Sequence, residues 1–188
     1  MPQAKPVNII WFRAKRSSNP ALRDAPQTKW SSDAVESEGK MKQTQRGKVL
    51  AVNISEKKGT KKTNIQSCLI VKEYGLKGDA HAGPWHRQVS LLANESIQKI
   101  KAKGLNVGYG DFAENITTEG LDLVHLPIGT EMRIGNSVLL CVTQIGKKCH
   151  QRCAIYYQAG DCVMPKEGIF AEVIKEGEVK VGDEIIVG

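Results

Sequence analysis

The chain has 188 residues, a length that suits one ordinary domain and is tight for two. Its composition, 40% hydrophobic and 25% charged, is close to the globular average and excludes a wholly disordered chain. No apolar run approaches the roughly 20 residues of a transmembrane helix, and the N-terminus lacks the apolar core of a secretory signal, so we expect a soluble cytoplasmic protein with no membrane partner.

The formal net charge of +7 raises the question of a nucleic-acid partner. Residues 1–40 hold seven Lys or Arg and four Asp or Glu, so they account for +3 of this charge and leave +4 for the rest. There is no stripe of basic residues with interleaved aromatics, and aromatics make up only 5% of the chain. Nucleic-acid binding is therefore disfavoured, and the modest basic balance suits a small anionic ligand.

The N-terminal part of the chain differs in composition from the rest. The first 40 residues are rich in proline and serine, and they sustain neither the period of a helix nor that of a strand. Met41 then opens a short polar stretch that leads into a convincing strand at Gly47. We interpret residues 1–46 as a flexible N-terminal extension and residues 47–188 as the folded domain.

From Gly47 onward the chain alternates short β-type runs with turn signals. Strands are predicted over residues 47–54, 68–71, 88–93, 112–118, 131–134, 138–144, 169–175 and 184–187. One helix is predicted over residues 95–103, because Asn94 is a good N-cap and two isoleucines three residues apart share a helix face. Residues 150–158 allow a second, short helix. This pattern predicts a mainly β fold, a closed or nearly closed β-barrel with one or two helices, because closure removes edge strands.

Five cysteines, an odd number, argue against a disulfide framework in a chain long enough to build a core. Cys68 and Cys141 lie within apolar runs and are interpreted as small core residues. Cys149, Cys153 and Cys162 fall within fourteen positions and need a separate explanation. They are the candidates for chemistry.

Three basic residues, Lys147, Lys148 and Arg152, surround the first two of these cysteines. Positive neighbours stabilise a thiolate, which is the nucleophile, the metal ligand and the sulfur carrier. We therefore predict Cys149 and Cys153 as catalytic thiols, with Cys149 the more reactive. The alternative is a solvated basic turn that carries two half-buried cysteines.

The third cysteine, Cys162, follows Asp161, whose charge should oppose ionisation, so we rank its thiol last. A zinc site is a further alternative, in which Cys149 and Cys153 form a ligand pair and the tetrahedron is completed from Cys162, His150, His81 or His86. No second close pair of ligands follows, so the zinc signal is only moderate.

A glycine-rich segment, residues 75–87, contains a second group of candidates. Glycines let backbone N–H groups approach an anion, and His81, His86 and Arg87 add positive or hydrogen-bonding groups. Arg is the natural fork for a phosphate, and Asp79 could orient a histidine. The alternative is a connector whose histidines cap local carbonyls.

A third candidate is the polar pair Glu114 and Asn115, which stands at the predicted start of a strand. Buried there, the two side chains would need hydrogen-bond partners, and the edge of an amino-pyrimidinone ring offers them. We therefore include both residues among the candidates for binding a pterin-like ring.

Six motifs in a fixed order support a resemblance to a known family. They are Gly78-Asp79-Ala-His81, His86-Arg87-Gln88-Val-Ser-Leu-Leu, Gly110-Asp-Phe-Ala-Glu-Asn-Ile-Thr, Leu126-Pro-Ile-Gly-Thr, Thr143-Gln144 up to Cys149, and Gly160-Asp-Cys-Val-Met-Pro. Together they resemble the MOSC domain, which stands at the C-terminus of eukaryotic molybdenum-cofactor sulfurases and also forms small stand-alone bacterial proteins. Each motif alone is weak, but the ordered set is specific and spans most of residues 47–187.

The resemblance implies a β-barrel that binds molybdenum cofactor, the molybdopterin complex, and a cysteine that carries sulfur or ligates molybdenum. By the usual spacing of the family this cysteine is Cys149. Relatives such as the mitochondrial amidoxime reducing component have an Arg-Cys pair at the ligand position, and Arg152-Cys153 matches that pair equally well. The resemblance therefore leaves two candidates for the active thiol.

The resemblance also implies partners, because the sulfurases carry a pyridoxal-phosphate desulfurase domain that this chain lacks. We expect no pyridoxal phosphate here, a cysteine desulfurase-type protein as sulfur donor and a molybdoenzyme as acceptor. The predicted function is that of a molybdenum-cofactor binding protein that carries or inserts sulfur as a cysteine persulfide. The alternatives are a molybdenum-dependent oxidoreductase component that reduces N-hydroxylated compounds and a zinc-stabilised binding module.

Overall fold

Short strands dominate the structure. The computed structural model describes residues 44–149 and 153–188. In chain order the strands are β1 (Gln45–Ile54), β2 (Thr63–Ile65), β3 (Ser67–Val71), β4 (Gly75–Leu76), β5 (Val89–Ala93), β6 (Ile116–Glu119), β7 (Glu131–Ile134), β8 (Val138–Ile145), β9 (Ile169–Lys175), β10 (Gly177–Lys180) and β11 (Glu184–Val187). The helices are α1 (Asn94–Lys101), α2 (Ala154–Ala159) and α3 (Met164–Glu167).

Seven of these strands close into a barrel. Around the barrel the order is β1, β11, β7, β8, β9, β5 and β6, and β6 pairs with β1 again. Neighbours are antiparallel except β5 and β6, which are parallel and are connected through α1. The first and last strands pair directly, with Gln45 opposite Val187. The predicted mainly β fold and closed barrel are confirmed.

The interior of the barrel is packed with apolar side chains. Strand β7 shows the alternation that produces this core, since Met132 and Ile134 are fully buried while Glu131 and Arg133 are exposed. The same cluster takes Val, Ile and Leu side chains from every strand of the barrel. The inside is therefore a core, and binding groups have to lie on the outer wall or at the ends.

A second apolar cluster lies on the outside of the wall. Leu92 of β5 and Phe170 of β9 pack there against Ile97 of α1, Ile155 of α2 and Met164 of α3. The cluster also contains Cys162. The three helices are thus fixed to one side of the barrel.

The structure differs from the sequence-based expectation at several places, among them the short strands β2, β4 and β10, which lie outside the predicted strands. The first strand begins at Gln45, two residues earlier than predicted. Asn94 is the first residue of α1, and its side chain accepts a bond from Gln98 at 3.0 Å in place of capping the helix. A third short helix, α3, forms in a segment for which no helix was predicted, and its proline is tolerated because it lies in the first helical turn. The strand predicted over 112–118 begins only at Ile116, since Ala113 has a positive φ of 63°.

Other sequence predictions fall outside the described residues, namely most of the N-terminal extension, residues 1–43, and the start of the short helix predicted over 150–158. Within the described ranges no helix has the length and apolarity that crossing a bilayer requires.

Candidate functional site

The loop that precedes β5 meets the C-terminal end of β8 on the outer wall of the barrel. Nε2 of His86 lies 3.0 Å from Oε1 of Gln144, and the Thr143 hydroxyl bonds the His86 carbonyl. The Gln144 amide in turn donates to the Gly146 carbonyl at 2.6 Å. Two segments that the sequence analysis singled out separately are therefore neighbours in the fold.

The carboxylate of Asp79 is the centre of a buried polar cluster. Its Oδ2 is bonded by the ammonium group of Lys62, by the Ser55 backbone N–H at 3.2 Å and by the Asn115 amide at 3.1 Å. Its Oδ1 accepts the His81 backbone N–H at 2.8 Å. The side chains of Asp79 and Lys62 are each only 1% exposed. A buried carboxylate with this many donors is fixed in place.

The cluster controls the protonation of Asp79. Burial alone would raise the pKa of this carboxyl, but the hydrogen bonds from His81 and Lys62 outweigh burial and hold the pKa well below its usual range. Burial lowers the pKa of Lys62, and the bond to Asp79 opposes that effect. The charged carboxylate is therefore the form that the cluster stabilises.

Gly110 explains how Lys62 reaches this position. The Lys62 backbone N–H donates to the Gly110 carbonyl at 3.0 Å, so the two chain segments lie in direct contact. Gly110 has a φ of 86°, and a Cβ at this position would overlap the Lys62 carbonyl oxygen. Only glycine permits this approach, which directs the Lys62 side chain inward to Asp79.

Glu114 and Asn115, predicted to face a ligand ring, are both buried in this cluster. The Asn115 amide donates to Asp79 and to the Asn53 carbonyl, and its oxygen accepts two bonds from Ser90. All of its hydrogen-bonding capacity is thus met inside the protein. The Asn115 side chain therefore helps to position the Asp79 carboxylate, and contact of Asn115 with a ligand ring stays a prediction.

Glu114 is fully buried, and burial raises the pKa of its carboxyl. One oxygen accepts bonds from the Gly110 N–H at 2.6 Å and the Thr117 hydroxyl at 3.0 Å. The other oxygen, Oε2, has no partner among the described residues. The carboxyl therefore favours its neutral form, in contrast to Asp79.

His81 lies at the border between this cluster and solvent. Its Nδ1 lies 3.4 Å from Oδ1 of Asp79, and its side chain is 33% exposed. An ionised carboxylate on the Nδ1 side favours a proton on that nitrogen and leaves Nε2 as the acceptor. No hydrogen bond of ordinary geometry joins Nδ1 to a partner among the described residues, so orientation of the ring by Asp79 stays a prediction.

Arg87 is held in an aromatic stack. Its guanidinium carbon lies 4.5 Å from the centre of the Trp85 ring and 5.5 Å from that of Phe170. The Trp85 indole N–H donates to the His81 carbonyl at 3.1 Å, which fixes the ring. Nε of Arg87 is buried and has no partner within the described part of the chain. A pre-oriented guanidinium with an unfilled donor suits an anion.

The three clustered cysteines have different environments. Cys149 and Cys153 are exposed, whereas Cys162 is buried in the outer apolar cluster. Burial, with a smaller effect of the neighbouring Cys153 and Cys149 thiols, raises the pKa of Cys162 to about 11. Desolvation, and not the Asp161 charge invoked from the sequence, is thus what makes Cys162 the weakest nucleophile of the three.

The segment that leads to Cys149 is anchored to α3. The Gly146 N–H donates to the Gly168 carbonyl at 2.7 Å, and the Lys147 N–H donates to the Pro165 carbonyl at 3.1 Å. Lys147 is half-buried and Lys148 is exposed. Of the other residues predicted here, Arg152 lies outside the described residues.

No group of three His, Cys, Asp or Glu side chains in residues 44–149 and 153–188 is arranged to hold a metal ion. Cys149, Cys153 and Cys162 are all within these ranges. The zinc alternative therefore gains no support from the described residues, and the ligand role of the three thiols stays a prediction.

Sequence reasoning missed Lys62, the principal partner of Asp79. It stands in a run of four lysines in eight residues, 55–62, where a solvated side chain is the ordinary expectation. No pattern separates it from Lys61. The one available signal is Gly110, which looks like an ordinary turn glycine until its contact with Lys62 is known.

Comparisons with known proteins agree with this architecture. A family model described as "MOSC domain" matches residues 78–186. Among solved structures, the YuaD protein from Bacillus subtilis matches with a TM-score of 0.66 and 19% identity over 77% of this chain and 96% of that one. YiiM from Geobacillus stearothermophilus matches with a TM-score of 0.57 and 17% identity, over 76% of this chain and 75% of that one. YiiM from Escherichia coli matches with a TM-score of 0.56 and 21% identity, over 76% of this chain and 69% of that one. No curated protein matches the chain significantly.

Proposed function

The chain belongs to the MOSC domain family, which is associated with molybdenum cofactor, and we propose that it binds this cofactor and carries sulfur for its maturation on Cys149. The observation that carries the proposal is that two thiols, Cys149 and Cys153, are exposed and are linked through Cys162 and Phe170 to the oriented cation of Arg87. Phe170 contacts Arg87 and belongs to the same apolar cluster as Cys162. Cys162 in turn neighbours both exposed thiols.

The described residues fit the cofactor in two respects. Nε of Arg87, which is buried and has no partner among the described residues, and the half-buried Lys147 supply donors for the phosphate of the pterin. Cys149 and Cys153 supply soft thiolates, the ligands that suit molybdenum or a persulfide. When bound, the cofactor would supply a metal centre that accepts sulfur.

The residues of the chain would bind and orient the ligand from the loop side. His86 is exposed and is held by Gln144, and His81 offers Nε2 because Asp79 faces its Nδ1. His86 thus donates its Nε2 proton to Gln144, and Nε2 of His81 can accept a proton from a pterin edge. Lys148 adds positive charge next to Cys149, which suits an anionic ligand.

The sulfur step uses a thiolate of this chain and a persulfide of the donor. Cys149 attacks the outer sulfur of the donor persulfide, the sulfur–sulfur bond of the donor breaks, and the donor leaves as a thiolate. The product is a persulfide on Cys149, and no oxidant or reductant is consumed. We propose a desulfurase-type protein as the donor, a molybdoenzyme as the acceptor and the cytoplasm as the location.

The test compares persulfide loading of single variants. A cysteine desulfurase with cysteine as substrate should add the mass of one sulfur atom to the Cys149 peptide, and Cys149→Ser should abolish it. Cys153→Ser should load normally, and Cys141→Ser on β8 is the matched control. Loading that persists in Cys149→Ser and is lost in Cys153→Ser would move the role to Cys153. No loading of any cysteine would refute the carrier function.

Cofactor binding is tested separately at Arg87. Arg87→Ala should weaken binding of molybdopterin at least tenfold, or about 1.4 kcal/mol, because a charge-assisted pair is lost. Arg87→Lys keeps the charge and loses the planar fork, so it should recover only part of the affinity. Unchanged affinity in both variants would remove Arg87 from the site. Catalytic reduction of an N-hydroxylated compound by the loaded protein would favour the oxidoreductase alternative instead.

A further inference from the structure

A pocket of about 500 Å³ lies in the connection between β1 and β2, apart from the residues assigned to the cofactor. Its walls include Ile54 and Ile65, which end the two strands, and its polar lining includes Ser55, Lys57 and Lys61. This volume is within the range of pockets that hold small ligands, about 300–1,000 Å³. The mixture of an apolar wall and basic polar groups is that of a small-molecule site.

Ser55 is the residue in this pocket whose side chain indicates that a ligand binds. The residue is 5% exposed, and its hydroxyl is buried with no partner among the described residues. Its backbone is fully engaged, since its N–H donates to Asp79 at 3.2 Å and its carbonyl accepts the Ala80 N–H at 2.8 Å. The hydroxyl is therefore held rigidly with an unfilled donor and acceptor.

The charges around the pocket favour an anion. Lys57 has no ion-pair partner in the part of the chain that the structure describes. Lys61 is paired at 2.9 Å with Asp111, whose side chain is largely buried. Glu56 also lines the pocket and is exposed. The buried Asp79 beside Ser55 is compensated by Lys62. Among the described residues, the Lys57 ammonium group has no ion-pair partner and the Ser55 hydroxyl no hydrogen-bond partner, and the exposed Lys61 ammonium group keeps donors beyond its pair with Asp111.

We propose that this pocket is a second anion site, which binds a phosphate monoester through Lys57, Lys61 and the Ser55 hydroxyl. The organic part of the ligand would lie along Ile54 and Ile65. A phosphate offers acceptors to both ammonium groups and to a hydroxyl at once. Because the proposed function assigns the pterin phosphate to Arg87 and Lys147, the ligand here is a separate phosphate monoester, such as a nucleoside monophosphate. The site does not depend on the sulfur-carrier function.

The test titrates the full chain with inorganic phosphate and with AMP. Binding is measured by calorimetry and by the shifts of the backbone amide NMR signals of residues 55–63. Both probes should bind, AMP more tightly because of the apolar wall. Lys57→Met should weaken AMP binding five- to tenfold, as should Ser55→Ala. Lys58→Met is the matched control, since Lys58 stands next in the loop, is exposed and does not line the pocket. It should change affinity by less than twofold.

Two results would overturn the proposal. One is the absence of binding by either probe. The other is an equal loss in Lys57→Met and Lys58→Met, which would show diffuse attraction to a basic loop in place of a site. Arg87→Ala should leave AMP binding unchanged, so that failure here and failure of the proposed cofactor site can be told apart. AMP should still bind when molybdopterin is preloaded, because the two ligands occupy different sites.

Discussion

The Asp79 cluster and the thiol segment around Cys149 are built in opposite ways. In the cluster, charged and polar side chains are buried and are held by several hydrogen bonds each. In the thiol segment, Cys149 and Cys153 are exposed, and the segment before them is tied to α3 through two backbone bonds. A change in the Asp79 cluster therefore costs stability, and the cluster fixes the positions of its polar side chains. The thiol segment leaves its reactive atoms open to partners, as transfer of sulfur between proteins requires.

The largest effect should come from breaking the cluster itself. Asp79→Ala leaves the ammonium group of Lys62 buried without its carboxylate, and the loss of one partner of a buried ion pair costs about 3–5 kcal/mol. Urea unfolding of the variant should show this loss. Lys99→Ala, which removes an ion pair with Glu167 in which the lysine is largely exposed, is the control and should cost less than about 1 kcal/mol. Similar losses in both variants would contradict the distinction between the two regions.

The second effect concerns the thiols. Because burial raises the pKa of Cys162 from 9.0 to about 11, its thiolate fraction at neutral pH is about a hundredfold below that of an ordinary cysteine. Limited alkylation with iodoacetamide followed by peptide mapping should label Cys149 and Cys153 long before Cys162. In urea the three rates should become similar. Early labelling of Cys162 in the folded protein would show that the thiol segment is more open than described.

A third test concerns how the cluster is assembled. Gly110→Ala should destabilise the protein by about 2–3 kcal/mol, because the new Cβ overlaps the Lys62 carbonyl at a positive φ. Gly59→Ala has a similar φ of 78° but open space around it, and it should cost about 1 kcal/mol. Thermal unfolding of both variants gives the comparison. Equal costs would show that the contact with Lys62 is unimportant.

The smallest effect is a difference in pH dependence inside the cluster. The lowered pKa of Asp79 gives stability that is present above its unfolded value, near 4, and is lost as pH falls. The raised pKa of Glu114 gives stability at low pH that is lost as pH rises above its unfolded value. Relative to wild type, Glu114→Gln should therefore gain stability as pH rises above the ordinary value of a glutamate, 4.5. Asp79→Asn should show the opposite trend below about pH 5. Parallel curves for the two variants would contradict this assignment.

The barrel could be predicted from the sequence because its signals are local. Short alternating runs such as that of β7 and turn residues between them are sufficient to indicate closure. Candidate residues in glycine-rich loops, Asp79 and Arg87 among them, could be found for the same reason. The orientation of Arg87 could not, since Phe170 comes from a strand more than eighty residues later.

Burial separates residues that the sequence alone does not distinguish. Lys62 and Lys61 are adjacent and chemically identical, yet one is buried on Asp79 and the other is an exposed partner of Asp111. The polarity of Asn115 predicts a ligand-binding group, and the structure shows that its side chain is hydrogen-bonded to Ser90 and Asn53. These differences come from the approach of distant chain segments, which periodicity does not record.

The pairing of β1 with β11 has a consequence for biosynthesis. The first and last strands of the described domain, Gln45–Ile54 and Glu184–Val187, are neighbours in the barrel. During translation the barrel cannot close until the last strand has left the ribosome, so the nascent chain holds a sheet with two free edges until then. Non-local pairings of this kind fold slowly. The newly made protein therefore passes through a stage at which its unpaired edges need protection from other chains.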